Sequence, residues 1–398
     1  MVRIKIILLS SAITLIIATI VLAIVLRNNN YSDANALGST INNSSTFKLL
    51  KDNANAAIVN DRQNIITKTV ATVSPAVVGI NVTEIRQYRD VWSMDPFWRQ
   101  FFGDRVYKQQ VKGLGSGAII SPDGYILTND HVAGNAVEAI VTLTDGKQYN
   151  AKVIGSDQTS DICLLKIDAK NLPYIVFGNS DDIMIGEWVI ALGNPFGLFD
   201  INDKPTVTLG VISAVDMNMG SADKRYYTKM LQTDAAINQG NSGGPLVNAL
   251  GELIGMNTLI LQSQDAQRYG LNLGSVGVGF AIPINKIKKV VNELKNKGKV
   301  ERDFWTGLSI LTLNESISKT YNLKSSKGVI ITQIEKNSPA QKCGLSIEDI
   351  IIGIDDFRVS DENILIGILN EYRTGDVLKF KILRDGVEKV MNMKLERK

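Results

Sequence analysis

The sequence is short of several things. It has two cysteines, Cys163 and Cys343, in 398 residues. They lie far apart and lack metal-ligand spacing, which argues against a disulfide framework or a zinc site. Two buried thiols acting as small apolar side chains are expected, and no cofactor is called for. Charge of one sign is also lacking: the net value is +3, and no basic run of the kind that binds nucleic acid is present. Histidine occurs once, at position 131. Any chemistry that needs an imidazole must therefore use that residue.

What is present is an ordinary globular composition, 44% hydrophobic and 21% charged. The length allows two or three domains with substantial cores. One long uncharged run stands out, from Ile6 to Leu26. As a helix it would span about 31 Å, enough for the hydrocarbon core of a bilayer. Arg3 and Lys5 precede it and favour an N-in orientation, with the bulk of the chain on the far side. A cleaved signal peptide is the competing reading, but its apolar region is normally about 7–15 residues. The small-residue stretch Ala34-Asn35-Ala36 lies well past the run. The expected layout is a stub and transmembrane anchor over 1–27 and a flexible tether over 28–62. That tether is rich in Asn and Ser and too poor in apolar side chains to offset its ordering entropy. Asn42, Asn43 and Asn81 fit glycosylation sequons by chance in an Asn-rich chain.

From 63 to 298 the pattern is mainly β, with short apolar runs broken by turn residues. Examples are Ala76–Val82, Tyr125–Thr128, Trp188–Leu192 and Leu253–Asn257, with turns at Ser121-Pro122-Asp123-Gly124 and Thr144-Asp145-Gly146. Many short strands at this spacing suggest barrels or a sandwich. Ile284, Ile287, Val290, Val291 and Leu294 share one helical face, and Gly298 stops that helix. A third unit, 304–396, mixes strands such as Ile350–Ile354 with a helix over Glu362–Tyr372.

The strongest local signal is Gly240-Asn241-Ser242-Gly243-Gly244-Pro245. A serine hydroxyl attacks well only when a base takes its proton. It also needs backbone N–H groups aimed at the developing oxyanion, and flanking glycines allow a turn that aims those of Gly240 and Ser242. The bland alternative is a Gly-rich turn holding an innocent serine. The motif also fits the nucleophile elbow of α/β-hydrolases, but there the histidine follows the serine. Here His131 precedes it, which leaves the order His, Asp, Ser. His131 follows the strand Tyr125–Thr128. Asp161 enters the apolar run Ile162-Cys163-Leu164-Leu165, where a carboxylate needs a partner, and His131 is a natural one. Asp157 and Asp168 are weaker candidates in more polar surroundings. Ala235, Ala236 and Ile237 precede the nucleophile without any acid to receive a basic side chain, so Ala236 and Ile237 are expected to line a pocket for small aliphatic residues.

Taken together these segments resemble the HtrA (Deg) family of serine endopeptidases. The likeness runs over about 70–396 and rests on Gly113-Leu114-Gly115-Ser116-Gly117, Leu127-Thr128-Asn129-Asp130-His131-Val132, Ser160-Asp161-Ile162, Ala191 to Gly197, Gln232 to Asn238 and Gly240 to Leu246. The resemblance implies two six-stranded barrels of the chymotrypsin type, a triad of His131, Asp161 and Ser242 between them, and a PDZ domain over 304–396. It implies that Trp305-Thr306-Gly307-Leu308 is the carboxylate-binding loop of that domain, which takes hydrophobic peptide C-termini by strand addition. The segment Asp95–Gly103 resembles the family's long activation loop, whose aromatics would meet another subunit of a trimer or a multiple of trimers. The implied substrates are unfolded or misfolded proteins, in the periplasm of a bacterium, with the anchor in the inner membrane. One anchor and one PDZ module resemble the stress-sensing branch of the family; the Asp95–Gly103 loop resembles the quality-control branch. A non-proteolytic chaperone or tethered adaptor on the same fold is the alternative from a different class.

Overall fold

The computed structural model describes residues 62–89, 106–194, 204–238, 240–260, 277–320 and 327–398. The expected anchor, the tether and the Asp95–Gly103 loop lie outside these residues. Among the described residues no helix is long and apolar enough to cross a membrane. Ile65–Lys398 is one compact unit.

A helix not anticipated from the sequence, α1 (Ile65–Val73), opens the unit. Seven antiparallel strands follow in the order β5-β4-β1-β2-β3-β7-β6. They are β1 (Val77–Arg89), β2 (Val106–Ile119), β3 (Tyr125–Thr128), β4 (Glu138–Thr142), β5 (Gln148–Asn150), β6 (Lys152–Asp157) and β7 (Ile162–Lys166). A six-stranded barrel was expected here. The extra strand arises because the Thr144-Asp145-Gly146 turn folds β5 back on β4, pairing Thr142 with Gln148. A one-turn helix, α2 (Asp130–Ala133), interrupts the chain after β3. Strands β1 and β2 run far beyond the core as a ribbon, paired from Val77↔Ala118 out to Arg89↔Val106. The inner end buries apolar side chains, and Lys108, Gln109 and Gln110 are exposed.

The second half meets the expectation of six strands in a closed barrel, in the order β12-β15-β14-β13-β8-β9. Its strands are β8 (Trp188–Gly193), β9 (Thr206–Met217), β12 (Met230–Thr233), β13 (Pro245–Asn248), β14 (Leu253–Ile260) and β15 (Gly279–Pro283). A hairpin, β10 (Gly220–Ala222) and β11 (Arg225–Tyr227), projects between β9 and β12. Helix α3 (Ile284–Lys297) closes this half. Its expected apolar face, Ile284, Ile287, Val290, Val291 and Leu294, is buried. Each such side chain contributes about 1.5–3 kcal/mol of gross burial energy. Gly298 ends the helix in the left-handed region at φ +72°. Cys163 lies in the core, where burial pushes its thiol up to about 12, so it stays protonated. Cys343 is only half-buried, against the expectation of two buried thiols.

The third unit is a five-strand path, β17-β18-β19-β21-β22, with β20 (Phe357–Arg358) paired to β19. The path comprises β17 (Leu308–Thr312), β18 (Val329–Ile334), β19 (Ile350–Ile354), β21 (Val377–Arg384) and β22 (Val387–Lys394). A separate small pair joins β16 (Phe304–Trp305) to β23 (Glu396–Arg397). Helices α4 (Glu315–Thr320), α5 (Pro339–Lys342) and α6 (Glu362–Leu369) complete the unit. Its own core includes Ile331, Ile351, Leu365, Ile368 and Phe380. Strand β17 lies at the sheet edge, and Gly307 before it has φ +72°. A Cβ there would come within 2.1 Å of the Ser338 side chain, so only glycine fits.

The linker after α3 joins the two parts through charge. Arg302 holds Asp157 with two bonds, of 2.7 and 2.8 Å, and donates to the Asn370 carbonyl at 2.9 Å. Lys286 pairs with Glu371 at 2.5 Å and Arg373 with Glu293 at 2.8 Å.

Candidate active site

Three segments that are remote in sequence meet at one crevice. His131 sits on α2, directly after β3, which is fixed between β2 and β7. Asp161 immediately precedes β7 and takes the left-handed backbone conformation, φ +59°. For a non-glycine residue that conformation is uncommon, and an aspartate tolerates it better than most. Ser242 lies on the Gly-rich turn before β13. Its carbonyl accepts the Ser116 N–H at 2.9 Å, which pins the turn to β2. Gly243 has φ +84°, and a Cβ there would lie 2.2 Å from the Ser116 carbonyl oxygen. The glycine is required by both backbone conformation and space.

His131 Nδ1 is 2.9 and 2.8 Å from the two carboxylate oxygens of Asp161, and the His131 backbone N–H donates to Oδ1 at 3.0 Å. Thr258, from β14, donates its hydroxyl to Oδ2 at 2.7 Å. Asn129 Nδ2 donates to the Asp161 carbonyl at 3.0 Å. Asp161 is fully buried. Burial opposes its ionisation, but the bonds and charge of His131, with the Thr258 bond, outweigh it and hold the carboxyl below the usual carboxylate range. Asp161 is therefore acceptor-only and orients the imidazole with its Nδ1 proton toward the carboxylate.

Ser242 and His131 line the same small cavity, about 170 Å³, together with Val82, Val111, Leu114 and Gly240. The Ser242 hydroxyl donates to the Thr258 carbonyl at 3.0 Å. One hydroxyl proton cannot serve two acceptors, so transfer to His131 requires the side chain to leave Thr258 first. Thr258 thus touches both sides of the site, by its carbonyl and by its hydroxyl. Gly240 has φ +97° and precedes the serine by two residues. Chemically, such a set can deprotonate a hydroxyl, return the proton to a leaving group and keep the base oriented throughout.

The other expected site residues fall into place unevenly. Asp157 is ion-paired with Arg302, away from His131, and Asp168 lies on the loop after β7. Ile237 is fully buried in the second barrel's core, against Gly279, while Ala236 is half-buried and its carbonyl accepts from Thr208 at 2.9 Å. Ile237 therefore cannot touch a substrate in this conformation, which corrects the expectation that both line the pocket. Trp305, Thr306 and Leu308 are half-buried around Gly307. The carbonyls of Thr306 and Gly307 accept from the N–H groups of Ala340 and Glu335 at 3.1 and 2.8 Å, which shapes the loop from inside. Among the described residues no group of three His, Cys, Asp or Glu side chains could hold a metal ion.

Thr258, Tyr227 and Arg225 also belong to the site. The Tyr227 hydroxyl is 3.4 Å from Asp161, and Arg225 reaches toward the same carboxylate. None of them stands in a motif, so no local signal marks them.

Residues 115–256 match the trypsin-like peptidase domain family, and residues 309–395 match the PDZ domain family. A probable periplasmic serine endoprotease described as DegP-like, from Pseudomonas fluorescens, is 38% identical over 343 residues, covering 81% of this chain and 68% of that protein. A DegP-like relative from Hahella chejuensis is also 38% identical, over the same shares. The chain belongs to the DegP-like, HtrA-type family of serine endoproteases. Solved structures agree: the HtrA-type protease AlgW with decapeptide aligns at a TM-score of 0.60 and 35% identity, covering 84% of this chain and 98% of that one. The serine endoprotease from Yersinia pestis aligns at 0.52 and 31%, with the same coverage. As an HtrA-type protein the chain is a serine endopeptidase with one PDZ domain.

Proposed function

We propose that Ser242 is the nucleophile, His131 the general base and Asp161 the residue that holds the imidazole. In this reading Ser242 attacks a peptide carbonyl after its proton passes to His131, and His131 returns that proton to the leaving amine. The N–H groups of Gly240 and Ser242 stabilise the oxyanion. The observation that carries the reading is the buried Asp161 bonded to His131, the chain's sole histidine, beside a crevice that also holds Ser242. Ala236 and the small apolar stretch around it favour small aliphatic side chains at the cleavage site.

The PDZ domain captures hydrophobic C-termini of unfolded proteins, with the peptide added beside β17 over the Trp305–Leu308 loop. The place of β17 at the sheet edge supports this. The protease domain occupies 63–298 and the PDZ domain 304–396. The uncharged Ile6–Leu26 run anchors the protein in the inner membrane of a bacterium, with the catalytic part in the periplasm. There it takes part in quality control of envelope proteins and assembles as a trimer or a multiple of trimers. The test is cleavage of an unfolded protein substrate by the parent chain and by Ser242→Ala. Loss of turnover in the variant is expected; retained turnover would refute the assignment, and cleavage only after Lys or Arg would refute the aliphatic preference.

A further inference from the structure

The charges around His131 are more numerous than a three-residue relay needs. Asp161 faces its Nδ1. Asp130, the preceding residue, is buried and turned the other way, where it accepts from Ser156 Oγ at 2.6 Å. Glu84, from β1, lines the rim of the crevice. Tyr227 approaches Asp161 and stays neutral, since burial and then the Asp161 charge push its ionisation up. The one cation among these groups is Arg225. Its Nη2 is 2.7 Å from Asp130 Oδ2, and its Nε is 3.2 Å from Asp161 Oδ1. The second contact is out of line for a hydrogen bond and is one of charge. The Arg225 side chain is only 12% exposed. Burial works against its charge, but Asp130 and Asp161 hold it protonated.

The hairpin that delivers this arginine is fixed from the same neighbourhood. Asp223 and Lys224 make its turn, both at positive φ, and the Tyr226 N–H donates to the Thr159 carbonyl at 2.9 Å, two residues before Asp161. The tip of β11 is thus locked to the loop that carries the acid.

We propose that Arg225 is a positioning residue for the hydrolytic site: it holds the Asp161 carboxylate toward His131 and cancels the charge of Asp130, so that the buried groups present the imidazole with one net negative charge rather than two. The proposal rests on the reading of His131 as the general base. Removing the cation leaves both buried carboxylates, Asp130 and Asp161, uncancelled beside an imidazolium, so His131 takes up its proton at higher pH. Removing Asp130 instead leaves Arg225 opposing the imidazolium, so the proton is taken up at lower pH. Removing both restores the balance.

The solitary histidine makes the test clean. In the full chain with Ser242→Ala to prevent self-cleavage, the imidazole resonances of His131 are followed against pH by NMR. The expected result is a midpoint about one pH unit higher in Arg225→Met, lower by a similar amount in Asp130→Asn, and within about 0.3 unit of the parent in the double variant. Arg225→Lys, which keeps the charge, recovers most of the parent midpoint. With Ser242 intact, the acid limb of kcat/KM moves in the same directions; a purely structural role would lower the rate without moving the limb. An unmoved midpoint in Arg225→Met, or shifts of the same sign in both single variants, overturns the proposal. Should Arg225→Met not fold, an unmoved midpoint in Asp130→Asn overturns it equally. Absence of Ser242-dependent cleavage in the parent chain would instead sink the triad reading, and the NMR titration would still decide the role of Arg225.

Discussion

The bond between Arg302 and Asp157 allows a quantitative test of how the linker is held. Arg302 is 14% exposed and Asp157 8%, and two aligned N–H groups meet two carboxylate oxygens at 2.7 and 2.8 Å. Arg302→Met keeps the length of the side chain and removes both bonds, along with the one to Asn370. Asp157 then retains only Ser160, through its backbone N–H at 3.1 Å and its hydroxyl. A buried carboxylate left without its cation costs about 3–5 kcal/mol, whereas an exposed pair would be worth about 0–1 kcal/mol. The assay is urea unfolding of the full chain. The double variant Arg302→Met/Asp157→Leu should recover much of the loss, because no charge is then stranded. A loss under about 1 kcal/mol in Arg302→Met would show that water reaches the pair freely and that the linker is not anchored as described. The pair also has a pH signature. Burial raises the Asp157 carboxyl, but Arg302 and Ser160 outweigh it and hold it below its ordinary value of 3.8. Its contribution is present above that value and is lost as pH falls through the lower folded one.

Other expectations concern the site itself. Gly243→Ala forces a Cβ to within 2.2 Å of the Ser116 carbonyl at a positive φ, so cleavage should fall at least a hundredfold with a lowered Tm; near-normal kcat/KM would contradict the packing. Thr258→Val removes the hydroxyl bond to Asp161 while leaving the carbonyl that holds Ser242. A drop of about tenfold in kcat is expected, equivalent to about 1.4 kcal/mol, and an unchanged rate would show that the bond does not steady the acid. Asp161 is held below its ordinary 3.8, so it too adds stability above that pH and withdraws it below, and midpoints of urea unfolding between pH 5 and pH 3 should fall.

Much of this could be read from the chain. Tyr125–Thr128 and Ile350–Ile354 are strands with the expected ends, because apolar runs bounded by turns leave little choice. The helix Ile284–Lys297 was legible from its face and its glycine stop. The ribbon of β1 and β2 was not, since Lys108, Gln109 and Gln110 are exposed in succession and give no alternation there. Helix α1 was hidden because Ile65, Ile66, Val70 and Val73 are β-branched and suit either structure. At the site, His131, Asp161 and Ser242 were legible by residue type and order. Thr258 and Arg225 were not, because each meets Asp161 only across the fold, Thr258 from β14 of the second barrel and Arg225 from the β10–β11 hairpin. Ile237 was misread because an apolar residue beside a nucleophile motif can face the core as readily as a substrate.

Folding gives one serine, among all those in the chain, a base. The most direct measurement is labelling of the full chain with a fluorophosphonate, followed by peptide mapping. A single adduct on Ser242 is expected in the parent chain, and its loss in His131→Ala. No adduct on Ser242, or undiminished labelling without the imidazole, would contradict it.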